Sequence, residues 1–394
     1  MIKNESLHLF FYLVKRPKDF FTGVKKILNQ HENIIAKDIV LGDKYYDFVD
    51  NAEYAKVLFF NTASELKILR RAINYGKVFN ELEKLVFNAV KENKGSNKLY
   101  FYLADEGVWG EFIKVLKQQI TNKFSVSITI INIQHGFFML EESSALGVRK
   151  IINKISKIFY RYPILGLGFG GSKLDTYFVY GELEKDFVRK ISPQSKVIVS
   201  PMICKGELLD EVYELQRSNS KIDEKIRKSI LFAATFNEID PLCLYNEEEI
   251  SEKLAPLFRK IYEKGYVIYY RLHPAIPDKD RYLALIQKYG IDKFIIIAND
   301  NKLSEYLVKV GTVMALQSTT LYDGYIVGRM PIIVRGLNKI YDFTTPHETI
   351  NLTSVLDVEI DNAFKKLDNY YKSDVCLNIE LEVENYFNII LNDN

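Results

Sequence analysis

The residues best equipped for chemistry fall in four short clusters, each at the end of an apolar run. In Arg271-Leu272-His273-Pro274, proline has no N–H and biases its predecessor away from helix, so the strand beginning at Val267 must stop there. His273 is thereby displayed at a strand end, where an imidazole can donate to a phosphate oxygen and Pro274 stiffens the turn that aims it. Arg271, two residues earlier, shares a strand face with His273 and would supplement the charge or pair with a nearby acid. In Gln317-Ser318-Thr319-Thr320, hydroxyls and free backbone N–H groups at a helix start form an anion site, and N-capping by Ser318 can coexist with it. In Asp105-Glu106-Gly107, two adjacent carboxylates suit a general base for an acceptor hydroxyl, with Gly107 permitting a sharp turn. The same acids would also serve as a plain helix N-cap. In Gln134-His135-Gly136, His135 is either a base or ligand for an acceptor or phosphate oxygen, or a satisfied histidine at a strand–loop junction. Gly136 favours close backbone approach to that point.

These clusters need rigid elements to hold them, and the chain supplies an alternation of apolar and amphipathic runs throughout, the pattern of βα units and parallel sheets. In the first half the pattern predicts strands over 56–60, 99–104, 126–133, 176–180 and 196–200, with helices over 64–94 and 109–120. The stretch 137–172 lacks a regular period, and its glycine string 166–171 reads as a flexible loop rather than a dinucleotide fingerprint. The second half restarts the alternation. It predicts strands over 229–236, 267–271, 294–298, 312–316 and 331–334, with helices over 247–264, 279–289, 303–308 and 319–327. Asp323 lies on the last of these, facing either a site or solvent. The domain boundaries follow: 1–205, a polar linker at 206–228, 229–378, and a final helix at 379–394 returning to the first domain.

Composition narrows the function classes. Lys+Arg 53 against Asp+Glu 51 leaves no broad basic face, so nucleic acid is not an expected partner. Three cysteines lie far apart with no metal-type spacing, which favours a reducing, cytoplasmic compartment and no structural zinc. No Walker loop, Ser–His–Asp order or metal-ligand cluster is present, and no metal cofactor is expected. The apolar run 7–14, interrupted by His8, is too short to span a bilayer and has no cleavage site after it. It reads as a first helix packed on its domain. The other reading uses Lys15, Arg16, Lys18, Lys25 and Lys26 among Phe20 and Phe21 to rest on an anionic membrane, placing the protein peripherally on the inner face of a bacterial membrane.

Taken together, the clusters resemble a known pattern. Asp105-Glu106-Gly107 matches the D/E-D/E-G motif of bacterial sialyltransferases, His273-Pro274 their HP motif, and Ser318-Thr319 their Ser/Thr pair, in the same order along the chain. The resemblance implies a GT-B fold: two Rossmann-like domains facing each other across a cleft, with a C-terminal helix crossing back. It implies an inverting, metal-independent transfer of sialic acid or a related keto-sugar from a CMP-sugar to a surface glycan or glycolipid. Asp105 would be the base, His273 would assist the departing phosphate, and Ser318 and Thr319 would bind it. Arg271, Pro274 and Thr320 would line the donor side; Glu106, Gly107, Gln134 and Gly136 the acceptor side. Gln134-His135-Gly136 is also similar to capsule Kdo transferases using CMP-Kdo, and to CDP-glycerol or ribitol phosphotransferases, in which the histidine of His-Gly is the base. The base therefore stays open between Asp105 and His135. A cytidine-nucleotide-dependent GT-B transferase is common to these readings. A two-lobed binding or scaffold protein without catalysis is the non-enzyme alternative.

Overall fold

The computed structural model describes residues 6–12, 21–29, 31–41, 53–55, 67–93, 96–104, 107–134, 145–160, 162–163, 167, 169–200, 208, 210–212, 214–215, 223–234, 247–273, 276, 278–316, 318–335, 345–346 and 348–372. The chain divides into two compact units, one of residues 1–206 with 383–394 and the other of 207–382. The expected strand at 56–60 and the expected terminal helix at 379–394 lie outside the described residues.

In the first unit, among the described residues, β1 (Ser6–Tyr12), β2 (Ile34–Leu41), β3 (Glu53–Ala55), β4 (Lys98–Leu103), β5 (Ser127–Ile133), β6 (Thr176–Val179) and β7 (Lys196–Val199) form one sheet. Their order is β3-β2-β1-β4-β5-β6-β7, and every pairing is parallel. Strands buried on both faces read as nearly continuous apolar runs, as Lys98–Leu103 does with its last five residues buried. Leu7, Leu9 and Phe11 pair with Leu99, Phe101 and Leu103. They enter one core with Phe79 and Leu82 of helix Lys67–Glu92 and with Phe112 and Leu116 of helix Gly107–Phe124. The opposite face of β1 carries His8, Phe10 and Tyr12, and Phe10 and Tyr12 pack on Phe21.

This arrangement corrects the reading of the N-terminal run. Residues 7–12 are not a helix; they are an interior strand, with Leu7, Leu9 and Phe10 fully buried, while Lys15, Arg16, Lys18 and Phe20 of the basic, aromatic stretch lie outside the described residues. A run apolar on both faces cannot be assigned to helix or strand by periodicity alone, and here parallel pairing on both sides decided it. The stretch 137–172 also differs from expectation. It contains helix Ala145–Tyr160, and its glycines include a packed turn: Gly170 has φ +79°, and a Cβ on Gly171 would lie 2.4 Å from the Leu167 carbonyl oxygen. Helix Glu182–Ile191 and strand β2 were likewise not anticipated.

In the second unit, β8 (Ser229–Ala234), β9 (Val267–Leu272), β10 (Ile295–Ile297), β11 (Thr312–Ala315), β12 (Met330–Val334) and β13 (Ile350–Leu352) form a second sheet. Their order is β10-β9-β8-β11-β12-β13, again parallel throughout. Helix Glu247–Glu263 buries Ile250, Leu254, Leu257 and Ile261 against it. Helix Asp357–Lys372, also unanticipated, adds Ile360, Phe364 and Leu367 to the same core. Both sheets are doubly wound: the chain reverses its direction of travel between β1 and β4 in one, and between β8 and β11 in the other. Open sheets of this kind bind ligands at the carboxyl ends of the strands flanking that reversal.

Candidate functional site

In the second unit the reversal lies between β8 and β11, and two of the four clusters sit on the strands flanking β8. The end of β9 is fixed by side chains that reach the β10 side. Arg271 Nη1 donates to the carbonyls of Ala298 at 2.8 Å and Asn301 at 2.9 Å, and the Leu272 N–H donates to Asn299 Oδ1 at 2.9 Å. Arg271 also lies over the Tyr306 ring, 5.6 Å from its centroid. Its guanidinium thus braces the loop after β10. Burial holds it below its ordinary pKa, opposed by Tyr306 and Asp300. His273 follows at once, half-buried, and burial lowers its pKa below the usual histidine value. A neutral imidazole offers one N–H donor and one acceptor. The His273 carbonyl accepts from the Ile276 N–H at 3.1 Å, closing a turn directly after the strand.

After β11, Ser318 Oγ donates to Thr320 Oγ1 at 3.0 Å and accepts from the Thr320 N–H at 3.2 Å. Ser318, Thr319 and Thr320 are all partly exposed. Helix Thr320–Ile326 starts there, with Thr319 at the cap position and no side-chain hydrogen bond from it. Ser318 is therefore not the N-cap expected of it: it stands one residue before the cap and accepts only the first N–H of the helix. The helix has only seven residues, so the hydroxyls, rather than a long helix dipole, are the donors this strand end offers. Gly324 sets the distance between that helix and the sheet, because a Cβ there would lie 2.4 Å from Val313 Cγ2. Asp323 is buried and so faces no solvent.

In the first unit the reversal lies between β1 and β4. Asp105 and Glu106 lie outside the described residues, between the buried Ala104 and Gly107, the first residue of helix Gly107–Phe124. His135 and Gly136 also lie outside them, as does Pro274 in the second unit. Gln134 is fully buried. Its Oε1 accepts from the Tyr180 N–H at 2.8 Å, and its own N–H donates to the Phe178 carbonyl at 2.9 Å. It therefore pins the end of β5 to β6 and leaves the chain entering His135 from a fixed point.

Three groups near these strand ends escaped the sequence reading. Asn132 in β5 is fully buried, and neither amide atom has a hydrogen-bond partner among the described residues. Such a group costs about 1–3 kcal/mol; its signal is a lone amide in the run Ile-Ile-Asn-Ile. At the end of β1, Lys25 Nζ donates to Tyr12 Oη at 2.9 Å and to Asp38 Oδ2 at 2.6 Å. Burial raises the Asp38 pKa, and Lys25 opposes that rise. In the second unit, Glu211 in the stretch expected as linker accepts from Lys302 at 2.5 Å and from Ser304 at 2.6 Å, supporting the same loop that Arg271 braces. Among the described residues no group of three or more His, Cys, Asp or Glu side chains is placed to hold a metal ion. No helix among them is long and apolar enough to cross a membrane.

No family model matches the sequence, and no curated protein does. Solved structures do match in fold. The UDP-GlcNAc 2-epimerase from Neisseria meningitidis bound to UDP-GlcNAc aligns with a TM-score of 0.54 at 12% identity, over 94% of this chain and 92% of that one. A second UDP-N-acetylglucosamine 2-epimerase aligns with a TM-score of 0.52 at 12% identity, over 94% and 90%. A putative one from Listeria monocytogenes gives 0.50 at 10% identity, over 95% and 90%. At such identities the likeness is one of fold: the chain has the two-domain, Rossmann-like GT-B fold expected from its motifs.

Proposed function

We propose that the protein is a transferase taking its donor as a cytidine nucleotide, with the second unit receiving the donor's phosphates. The observation that carries this reading is the placement of His273 and Ser318–Thr320 on β9 and β11, the two neighbours of β8. Two interstrand steps separate those strands by about 10 Å, a span suited to a phosphate or diphosphate held over the end of β8. A half-buried, neutral His273 would give an N–H to a phosphate oxygen, and from the other side the Thr320 hydroxyl would give its own, joined by that of Ser318 once it turns from Thr320 to the ligand.

In the first reading the donor is a diphosphate, a CDP-linked polyol phosphate, which a span of this size admits. In that reaction an acceptor oxygen attacks the phosphorus bearing the polyol, the bond to CMP breaks, and CMP leaves with the charge met by His273. His135, entered from the pinned Gln134, is the matching base, as in the His-Gly resemblance. A second reading is supported by Asp105-Glu106-Gly107, which follows β4 at the first unit's reversal. There Asp105 takes the hydroxyl proton, the acceptor oxygen attacks the anomeric carbon of a CMP-linked keto-sugar, and inversion again releases CMP. The CMP-sugar route presents a single phosphate, with no diphosphate for a metal ion to bridge.

CMP release separates these readings. The chain is incubated with CDP-glycerol, CMP-sialic acid, CMP-Kdo and UDP-GlcNAc, each with glycan acceptors, alongside Asp105→Asn and His135→Ala. CMP release from CDP-glycerol that His135→Ala abolishes fits the first reading; release from a CMP-sugar that Asp105→Asn abolishes fits the second. Binding of UDP-GlcNAc, the ligand of the Neisseria meningitidis protein, without binding of any cytidine nucleotide would sink both.

A further inference from the structure

We propose that helix Ala145–Tyr160 is a docking surface for an anionic lipid bilayer. Among its described side chains, residues 150–158, the polarity is inverted relative to a packed surface helix. Ile151, Ile155 and Ile158 are 62%, 49% and 75% exposed, and spacings of four and three residues place them in one stripe. The side turned to the protein carries Asn153 and Ser156, 2% and 3% exposed. Ser156 Oγ there donates to the Asn153 carbonyl at 3.0 Å and to the Tyr162 carbonyl at 2.9 Å. These bonds close the end of the helix on itself, Lys157 ties it to Glu111 at 3.0 Å, and isoleucine is presented outward, an arrangement that water disfavours and a lipid interface rewards.

Charge selects the occupant. The helix contains Arg149, Lys150, Lys154 and Lys157 and no Asp or Glu. Lys150 and Lys154 are exposed beside the isoleucines, with no ion pair among the described residues, while Lys157 reaches back to Glu111 at 3.0 Å. Isoleucines edged by unpaired lysines suit acyl chains beneath anionic headgroups. A second copy of the chain fits poorly, since symmetric contact would set lysine-edged stripes against each other. This surface is separate from the apolar N-terminal run, which is buried as β1, and it does not depend on which donor the second unit takes.

The full chain is sedimented with vesicles of equimolar phosphatidylglycerol and phosphatidylethanolamine, and with pure phosphatidylcholine. The expected result is partitioning to the anionic vesicles that weakens with salt. It should fall about tenfold or more in the variant Ile151→Ser, Ile155→Ser, Ile158→Ser. Lys150→Glu with Lys154→Glu should remove the salt-sensitive part. Both variants change exposed positions, and unchanged circular dichroism and Tm verify the fold. The proposal is overturned if the wild type ignores anionic vesicles, or if the isoleucine variant binds them equally. It is also overturned if sedimentation velocity finds a dimer that the isoleucine variant dissolves.

Discussion

Two histidines show what separates a core residue from a site residue. His8 lies in the middle of β1, stacked on Tyr100 at 4.5 Å, with Ser6 Oγ 2.9 Å from Nε2 and Tyr102 Oη 2.9 Å from Nδ1. Burial pushes its pKa down to about 3. The folded protein therefore keeps His8 neutral, whereas the unfolded chain protonates it near pH ~6.5. Between those values the unfolded state binds the extra proton. Stability is thus fully present above about pH 6.5 and is lost as pH falls, by up to about 1.4 kcal/mol per pH unit. Urea titrations between about pH 7 and about pH 4.5 should show this slope in the wild type and a flatter one in His8→Phe; equal slopes would mean that His8 does not couple folding to protons. His273 differs because its strand stops at it, leaving the ring half-buried. In the proposed reaction its loss removes one donor to the leaving phosphate. His273→Ala should lower the rate of CMP release by about 10²–10³-fold while leaving Tm nearly unchanged. A Tm that falls with full residual activity would make His273 a strand cap only.

At the scale of elements, close packing between one helix and one strand sets the position of Ser318–Thr320, the proposed phosphate contacts. Gly324 holds helix Thr320–Ile326 against β11, where a methyl group would meet Val313 Cγ2 at 2.4 Å and Val313 Cβ at 2.9 Å. Valine is stiff at χ1 and sits in a sheet, so the helix must move instead. Gly324→Ala should cost about 1–3 kcal/mol and weaken nucleotide binding, because Ser318–Thr320 move with the helix. Gly76, inside helix Lys67–Glu92, has no heavy atom within 4 Å of the same added methyl, so Gly76→Ala should stabilise by about 0.5–1 kcal/mol. Chemical denaturation of both variants tests the pair; a destabilised Gly76→Ala or a neutral Gly324→Ala would contradict the packing described. Most strands were legible in the sequence because buried parallel strands leave unbroken apolar runs between turn residues, as at Ser229–Ala234. Helix Ala145–Tyr160 was missed although Ile151, Ile155 and Ile158 recur at helical spacing, a stripe that the sequence does contain and that faces outward rather than into a core. β1 was misread because its two faces bury equally well. At the site, Arg271 was legible as a charge but not as a brace, since its acceptors are carbonyls 27 and 30 residues away. Asn132 and the Lys25–Asp38 pair depend likewise on strand order, which one sequence read locally does not contain.

At the scale of the whole chain, each unit has its own parallel sheet and its own apolar core. One core is built around Phe79, Phe101 and Phe112, the other around Phe232, Tyr270 and Met314. A unit with a complete core is a candidate cooperative folding unit, so a single two-state transition is not expected of 394 residues arranged this way. The proposed phosphate contacts, His273, Ser318 and Thr320, all belong to the second unit. A ligand that binds a folded unit stabilises it by RT ln(1 + [L]/Kd), about 2.7 kcal/mol at a hundredfold excess over Kd. Scanning calorimetry of the full chain should therefore resolve two transitions. Adding CMP or CDP should raise one of them and leave the other in place, and Ser318→Ala with Thr320→Ala should remove the shift without moving the unshifted transition. If both transitions rose together, nucleotide binding would involve the first unit as well. A shift that survives the double substitution would place the phosphate somewhere other than the end of β11.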